Sequence, residues 1–307
     1  MNFEGLDILA GWCIAVMRSA TPLLFVTLGE TLTQRTGVIN LGVEGEMLVG
    51  ACVGFGVAVA TGNPWLGLLA GALAGMLLSS LHAGLVLVAG ANQIGSGLAV
   101  WMLALGATSF FGRGLVGNQV SPLPSLGSAL TDPLPFFGVL LNQMTAAVPL
   151  ALVAIVIAAV WLSRTRTGLV WRAVGESATL AAQNGARPGL VRFQAILTGG
   201  FLAGVGGAIL SVDYTQTWAQ EITKGRGLIA VGLVIVARWR PTLVLPICLI
   251  FGLAEVSVLR IQSAGIESSS YLLATLPYVS VLVILVLGHL SARRDVAMPA
   301  DLKSVFA

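Results

Sequence analysis

The chain has very little charge. Only 9% of its 307 residues are Asp, Glu, Lys or Arg, against about 25% in ordinary soluble domains, and none of the four occurs from Met47 to Gly112. Hydrophobic residues make up 56% of the sequence, and the mean hydropathy is +0.93. Several uncharged runs approach or exceed the ~20 residues that span a bilayer. The composition therefore excludes a water-soluble domain and predicts a polytopic membrane protein.

Cysteine, histidine and lysine are also scarce. Three cysteines, Cys13, Cys52 and Cys248, stand far apart, and with two histidines they provide neither metal-ligand spacing nor a nucleophile beside a base. The two lysines, Lys224 and Lys303, do not follow a glycine, so the chain lacks a phosphate-binding G-x-x-x-x-G-K-[ST] loop. No basic tract suits nucleic acid. We expect no metal, no cofactor, no nucleic-acid partner and no enzymatic activity for this chain.

The apolar runs are continuous, which favours helices over membrane strands that alternate across ~10 residues. Charged loops and Gly/Pro loops divide them into nine segments, and we expect eight to ten helices, some of them broken or re-entrant, in one transmembrane domain covering residues 1–307. The predicted segments are residues 8–28, 47–62, 65–89, 92–111, 143–162, 193–212, 228–237, 242–259 and 271–290.

Arginine is concentrated in three places: the loop 163–192, the turn with Arg238 and Arg240, and the C-terminal tail. Cytoplasmic loops carry an excess of Lys and Arg, which places all three in the cytoplasm together with Arg35. An even number of predicted segments separates each pair, as this assignment requires. The loop 114–142, which has no Lys or Arg, then lies outside as a periplasmic loop. We expect a bacterial cytoplasmic (inner) membrane protein with a cytoplasmic C-terminus.

Two glycine-rich breaks adjoin short apolar segments, one near residue 40 and one near residue 225. Lipid tolerates irregular backbone only where it is buried in protein or lines a watery cavity, and matched broken segments indicate a central site in transporters. Polar residues at the first break and near residue 92 are the candidate substrate path. They are Asn40, Glu44, Asn92, Gln93, Ser96 and Trp101.

Structural roles remain open for the same residues. Asn and Ser also hold membrane helices together, Glu44 can cap a helix N-terminus, and tryptophan often anchors at the interface, as we expect for Trp218. Arg18 and Glu255 interrupt apolar runs, and they either pair with each other or lie near the interface. Spacings such as Gly67–Gly71–Gly75 and Gly200–Gly204 predict helix-packing faces.

The basic loop 163–192 contains a predicted short helix. Ser177 suits the N-cap, residues 178–183 form the helix, and Asn184 with Gly185 ends it. A helix this short does not stand alone, which suggests docking into a partner, although a plain basic connector is the alternative.

Four motifs in order carry a specific resemblance. They are Thr36-Gly-Val-Ile-Asn-Leu-Gly-Val-Glu-Gly-Glu-Met-Leu48, Ala91-Asn-Gln-Ile-Gly-Ser-Gly97, the loop 163–192, and Thr223-Lys-Gly-Arg-Gly-Leu-Ile-Ala230 with Arg238-Trp-Arg-Pro241. The chain resembles the permease subunit of ABC importers of the branched-chain amino acid/ribose/nucleoside type, most of all its nucleoside branch. The loop is similar to the family's coupling helix, and the matching residues are Glu176, Ala181, Ala182, Asn184 and Gly185.

The resemblance implies an ATP-driven importer. Two permease chains, identical or homologous, would sit in the membrane lipid with two ATP-binding cassette ATPases, which carry ATP and Mg, and an extracytoplasmic substrate-binding protein. ATP binding would pull the coupling helices and rock the bundles between outward and inward states. The expected cargo is a nucleoside or related small polar solute. The alternative is an ion-coupled secondary transporter or channel without an ATPase, which would need a relay of ionisable groups in the spans.

Overall fold

The structure is a computed structural model that describes residues 3–125, 127, 143–263, 270–291 and 298–303. In these ranges the backbone is mostly helical, and β-structure is limited to two isolated bridges, Gln119 with Thr217 and Ser125 with Thr145. The helices are α1 Phe3–Gln34, α2 Val43–Thr61, α3 Pro64–Leu87, α4 Gln93–Phe111, α5 Ala147–Arg164, α6 Arg166–Glu176, α7 Ala178–Gln183, α8 Pro188–Ala208, α9 Arg226–Val236, α10 Pro241–Ser263, α11 Ser270–Ser291 and α12 Ala300–Lys303.

Seven helices among the described residues are long and apolar enough to cross a membrane. They are Leu9–Gln34, Val43–Thr61, Pro64–Leu87, Gln93–Leu115, Ala147–Arg164, Pro188–Tyr214 and Pro241–Ser263. The shorter apolar helix α9 and the 22-residue α11 accompany them. The predicted all-α polytopic membrane class is therefore confirmed. The single-domain organisation stays a prediction, and most of the loop 114–142 lies outside the described residues.

Two predicted helix boundaries at the first break are wrong. Helix α1 continues to Gln34 instead of ending at residue 28, and α2 begins at Val43 instead of Met47. Glu44 and Glu46 therefore lie in the first turn of α2, where carboxylates interact favourably with the helix dipole. Hydropathy missed these turns because they carry polar side chains that are buried in protein rather than exposed to lipid.

Glycines bring α2, α3 and α8 into close contact. A Cβ added at Gly71 would lie 2.5 Å from the carbonyl oxygen of Gly50, and one at Gly75 would meet the backbone of Gly204. Small residues allow membrane helices to approach at backbone distance, where van der Waals packing replaces the missing hydrophobic drive. The predicted glycine packing faces are confirmed, and these three helices position the first break.

The second break has an unusual backbone. Helix α8 continues into a π-helical segment at Ile209–Tyr214, and Gln216, Glu221 and Lys224 then adopt positive φ angles of 57°, 54° and 47°. Non-glycine residues in this region cost energy and persist only where the surroundings fix them. The segment therefore needs tertiary contacts to hold its shape.

The expectation for Trp218 is wrong, and Arg18 has a partner other than Glu255. Trp218 is buried against Gly112 and beside Phe55 rather than anchored at an interface. Arg18 donates to the carbonyl oxygen of Asp213, and among the ion pairs of the described residues none joins it to Glu255, so the pairing alternative is not observed. In both cases the contacting residues are far apart in the sequence, so local sequence patterns could not predict the contacts.

Candidate functional site

Glu44 joins the two glycine-rich breaks. Its Oε1 accepts hydrogen bonds from Thr223 Oγ1 at 2.6 Å and Gly225 N at 2.9 Å, and its Oε2 accepts one from Gly227 N at 2.6 Å. The carboxylate thus caps the N-terminus of α9 from the first turn of α2, and its charge complements the dipole of α9. A Cβ at Gly227 would lie 2.5 Å from Glu44 Cα, so glycine is required for this approach. Glu44 therefore caps a helix, as the alternative to a path role predicts, but the helix that it caps is α9 and not its own helix α2.

A second buried network surrounds Asn40. Its Nδ2 donates to Glu46 Oε1 at 2.7 Å, its backbone N donates to Glu30 Oε1 at 3.2 Å, and its Oδ1 accepts from Gly42 N at 2.9 Å. Glu30 also accepts from Gln34 Nε2 at 2.8 Å. Glu46 Oε2 is buried without a hydrogen-bond partner. These bonds fix the turn between α1 and α2, so Asn40 is a structural centre of the break.

The remaining predicted path residues lie at or within α4. Asn92 is exposed and caps α4 by accepting from Gly95 N at 3.0 Å, and Gln93 Oε1 accepts from Ile39 N at 2.9 Å. Ser96 is buried, with Oγ 3.1 Å from His82 Nδ1. Trp101 is half-buried where α4 crosses Gly45. All four adjoin the first break, and their contact with a substrate stays a prediction.

The structure reveals an ionisable cluster that the sequence alone did not assemble. Arg226 at the start of α9 forms an ion pair with Glu255 of α10, and its guanidinium lies 5.6 Å from the ring centroid of Tyr214. Glu255 Oε2 also accepts from Ser19 Oγ at 2.6 Å. Arg226 Nη1 and Arg18 Nε are buried without partners. Ionisable groups at membrane depth commonly mark a transport pathway. The sequence could have indicated this cluster only through the isolated charges at positions 18, 226 and 255.

No group of three or more His, Cys, Asp or Glu side chains that could hold a metal ion occurs among the described residues. The acidic side chains described above, such as Glu44, Glu46 and Glu255, instead bind donors of the protein itself.

The predicted short helix is present as α7, residues Ala178–Gln183. Ser177 Oγ accepts from Leu180 N at 3.3 Å, and Asn184 Nδ2 donates back to Leu180 O at 2.9 Å. Gly185 has a φ angle of 86°, which explains the end of the helix. Leu180 is 61% exposed whereas Ala181 is buried in the core. Helix α7 thus has one face attached to the bundle and one face open.

Helix α6 connects α7 to the first break. Gly175 packs directly on the carbonyl of Arg35, and any Cβ there would overlap it. In the middle of α6, Trp171 meets Trp161 of α5 edge to face, with ring centroids 4.6 Å apart. Helix α6 thus contacts the end of α1 and the end of α5, and it leads directly into α7.

Described parts of the segments that were placed together from the sequence meet at one end of the bundle. Arg35 Nε donates to Trp239 O at 2.7 Å, and Arg192 bonds both Thr36 O at 3.2 Å and Asp301 Oδ2 at 2.5 Å. Burial lowers the pKa of Arg35, while Glu176 raises it. The loop 163–192, the first break and α12 thus lie on the same side of the protein.

The family comparison agrees with this geometry. Residues 13–288 match the family model described as the permease component of the branched-chain amino acid transport system. The chain belongs to this family. It is a multi-pass membrane permease subunit of an ABC importer, and ATP hydrolysis resides on a separate subunit. The family works with an ATPase and a substrate-binding protein.

Several curated relatives cover most of the chain. It is 40% identical over 84% of its length, and 79% of the relative's, to the protein named "Putative glucose ABC transporter permease protein TsgC13" of Haloferax volcanii. It is 31% identical over 78% of its length, and 79% of the relative's, to the guanosine ABC transporter permease protein NupQ of Bacillus subtilis. It is 33% identical over 87% of its length, and 89% of the relative's, to the nucleoside ABC transporter permease protein NupC of Lactococcus lactis. No solved structure matches the chain.

Proposed function

We propose that this permease carries a nucleoside or related small polar solute inward across the cytoplasmic membrane. The observation that carries the substrate class is the similarity, at 31% and 33% identity, to permeases named for guanosine and nucleosides. The relative named for glucose makes a sugar the second candidate. Two permease chains, identical or homologous, would pair with two ATPases carrying ATP and Mg and with a substrate-binding protein outside.

Helix α7 is the proposed contact with the ATPase. Its open face offers Leu180, Ala182 and Asn184, while its buried Ala181 holds it to the bundle. ATP binding would move α7 together with α6, because only Ser177 separates the two helices. Gly175 of α6 would pass the motion to Arg35 at the end of α1, on which it packs. That motion would reach the first break within a few residues. The contact face, the loop 163–192 and the C-terminus would be cytoplasmic, following the arginine bias.

The proposed path runs between the two breaks and past the Arg226–Glu255 pair. The amides and hydroxyls there suit an uncharged polar solute, whose ribose or base hydrogen-bonds without requiring a counter-charge. Motion of the breaks would open the path alternately to the two sides, as broken helices do in other transporters. Asn92, Gln93, Ser96 and Trp101 would line its α4 wall.

The test is uptake of radiolabelled guanosine, adenosine and glucose by cells with and without the gene, with ribose, free bases and leucine as competitors. Loss of nucleoside uptake on deletion, with no competition by leucine, supports the proposal. Loss of glucose uptake alone keeps the importer and discards the nucleoside. Uptake that survives ATP depletion but collapses with an ionophore would favour an ion-coupled carrier instead.

A further inference from the structure

A basic pocket of about 470 Å³ opens at the end of the bundle that carries the first break. Four of its lining residues are arginines, and the others come mainly from the end of α5 and the start of α10. The arginines are Arg35, Arg164, Arg172 and Arg240. Among the described residues that line the pocket there is no Asp or Glu.

The guanidinium groups are poorly neutralised by the described residues. Arg172 Nε is buried without a hydrogen-bond partner. Arg35 Nε donates a hydrogen bond to the Trp239 carbonyl oxygen. Burial lowers the pKa of Arg35, and the positive charges of Arg172 and Arg240 lower it further. Glu176 is the acidic group that counters them. Packing four like charges around one cavity is unfavourable unless an anion occupies it.

The wall of the pocket indicates where that anion comes from. Val160 on α5 lines the pocket and is 52% exposed. Further along the same helix, Val153, Val156 and Ile157 are exposed at 53%, 61% and 62%. These side chains belong to a membrane-spanning helix, so their exposed surface faces lipid or another apolar chain. The arginines of the pocket therefore lie beside an apolar ridge that runs into the bilayer, formed by these four exposed side chains of α5.

We propose that this pocket binds the phosphate headgroup of an anionic phospholipid, with the acyl chains lying along the exposed ridge of α5. Phosphate takes up the guanidinium donors in geometrically matched hydrogen bonds. Basic pockets between transmembrane helices are suited to such headgroups. The lipid lies between the ends of α5 and α10 and next to α6, so it also stabilises the surface from which α6 leaves the membrane.

The experiment uses the purified full-length chain in nanodiscs of phosphatidylcholine with increasing phosphatidylglycerol, and native mass spectrometry counts the bound lipid. The Arg172→Gln/Arg240→Gln variant removes two guanidiniums from the pocket. The matched control, Arg166→Gln/Arg187→Gln, removes the same charge from exposed arginines of the same loop outside the pocket. Arg172→Lys keeps the positive charge, and it provides a second variant for the test if the double variant does not fold.

Phosphatidylglycerol should bind the natural chain selectively, and the pocket variant should lose roughly 25-fold in affinity, since each basic group contributes about fivefold. The control variant should bind as the natural chain does, and Arg172→Lys should lose less than the double variant. Equal loss in both double variants would overturn the proposal, because it would show diffuse attraction.

Two further arms distinguish other sources of the anion. Displacement of phosphatidylglycerol by millimolar inorganic phosphate would assign the pocket to free phosphate and overturn the lipid. Absence of the lipid from the complex co-purified with its ATPase, when the isolated chain retains it, would assign the pocket to an acidic partner surface and overturn it as well.

Discussion

At the residue scale, carboxylates inside the membrane region serve as connectors. Glu44 accepts three hydrogen bonds from the start of α9, and Glu46 and Glu30 are linked through Asn40. A charge at membrane depth is expensive unless protein donors surround it. Glu44 joins the two breaks, and Glu30 and Glu46 hold the first one, so three acidic side chains keep irregular backbone in a defined shape.

Replacing Glu44 by Gln should weaken the link between the breaks. The amide leaves one oxygen to accept, and its NH₂ group faces the Gly227 N–H, so a buried donor loses its partner at a cost of about 1–3 kcal/mol. Thermal unfolding of the purified chain should shift to lower temperature, and uptake should fall. Glu221→Gln is the control, because this glutamate is exposed in the same break. Equal unfolding temperatures for the two variants would contradict the capping role.

The partners of Glu44 show what the sequence does not reveal. The motif around residue 40 and the one around residue 225 were both recognised as breaks, but their contact spans about 180 residues of chain. A single sequence specifies which side chains are costly in lipid, and it does not specify which distant donors satisfy them. Trp218 illustrates the same limit, since an aromatic near a span end suits both an interface and a core.

At the element scale, local signals were sufficient for the short helix α7 and for the glycine packing faces. The cap at Ser177, the end at Asn184 and Gly185, and the glycine spacings of α3 and α8 all act within a few residues, and the structure contains each of them. The polar turns of α1 and α2 were missed, because hydropathy measures transfer into lipid and these turns are buried in protein. Knowledge of the facing helices was required there.

Two substitutions on α3 test the glycine packing. Gly71→Ala introduces a Cβ 2.5 Å from Gly50 O and 2.8 Å from Ala208 Cβ, whereas Gly84→Ala meets nothing within 4 Å. Overpacking costs about 1–3 kcal/mol, while alanine in an unhindered helix position gains roughly 0.5–1 kcal/mol over glycine. Unfolding in detergent should occur at a lower temperature for the first variant and at an unchanged or higher one for the second. A stable Gly71→Ala protein would mean that α2 and α3 separate readily.

The connection between α6 and α1 carries the coupling prediction. Gly175→Ala places a Cβ against the Arg35 carbonyl and should push α6 away from α1. Uptake should drop by roughly tenfold, the equivalent of ~1.4 kcal/mol, while ATP hydrolysis by the assembled transporter continues. Gly189→Ala, which meets nothing within 4 Å, should leave both rates unchanged. Parallel loss of ATP hydrolysis and uptake would indicate lost assembly instead of lost coupling.

At the scale of the whole molecule, the described parts of the arginine-rich segments meet at one end of the bundle. Arg35 contacts Trp239, Gly175 contacts Arg35, and Arg192 holds Asp301 of α12. The sequence argument required these segments to share a side of the membrane, and the fold places them within hydrogen-bonding distance of one another.

Orientation is therefore the decisive prediction for the whole protein. In a Cys13→Ser background, which removes the exposed native thiol and leaves Cys52 and Cys248 buried, single cysteines are placed at Val116, beyond α4, and at Gln183, in α7. A membrane-impermeant maleimide applied to intact cells should label Val116→Cys at once and label Gln183→Cys only after permeabilisation. The arginine bias and a cytoplasmic ATPase both demand this result. The reverse pattern would place α7 outside, where no ATP is available, and would remove the basis for ATP-driven coupling through this helix.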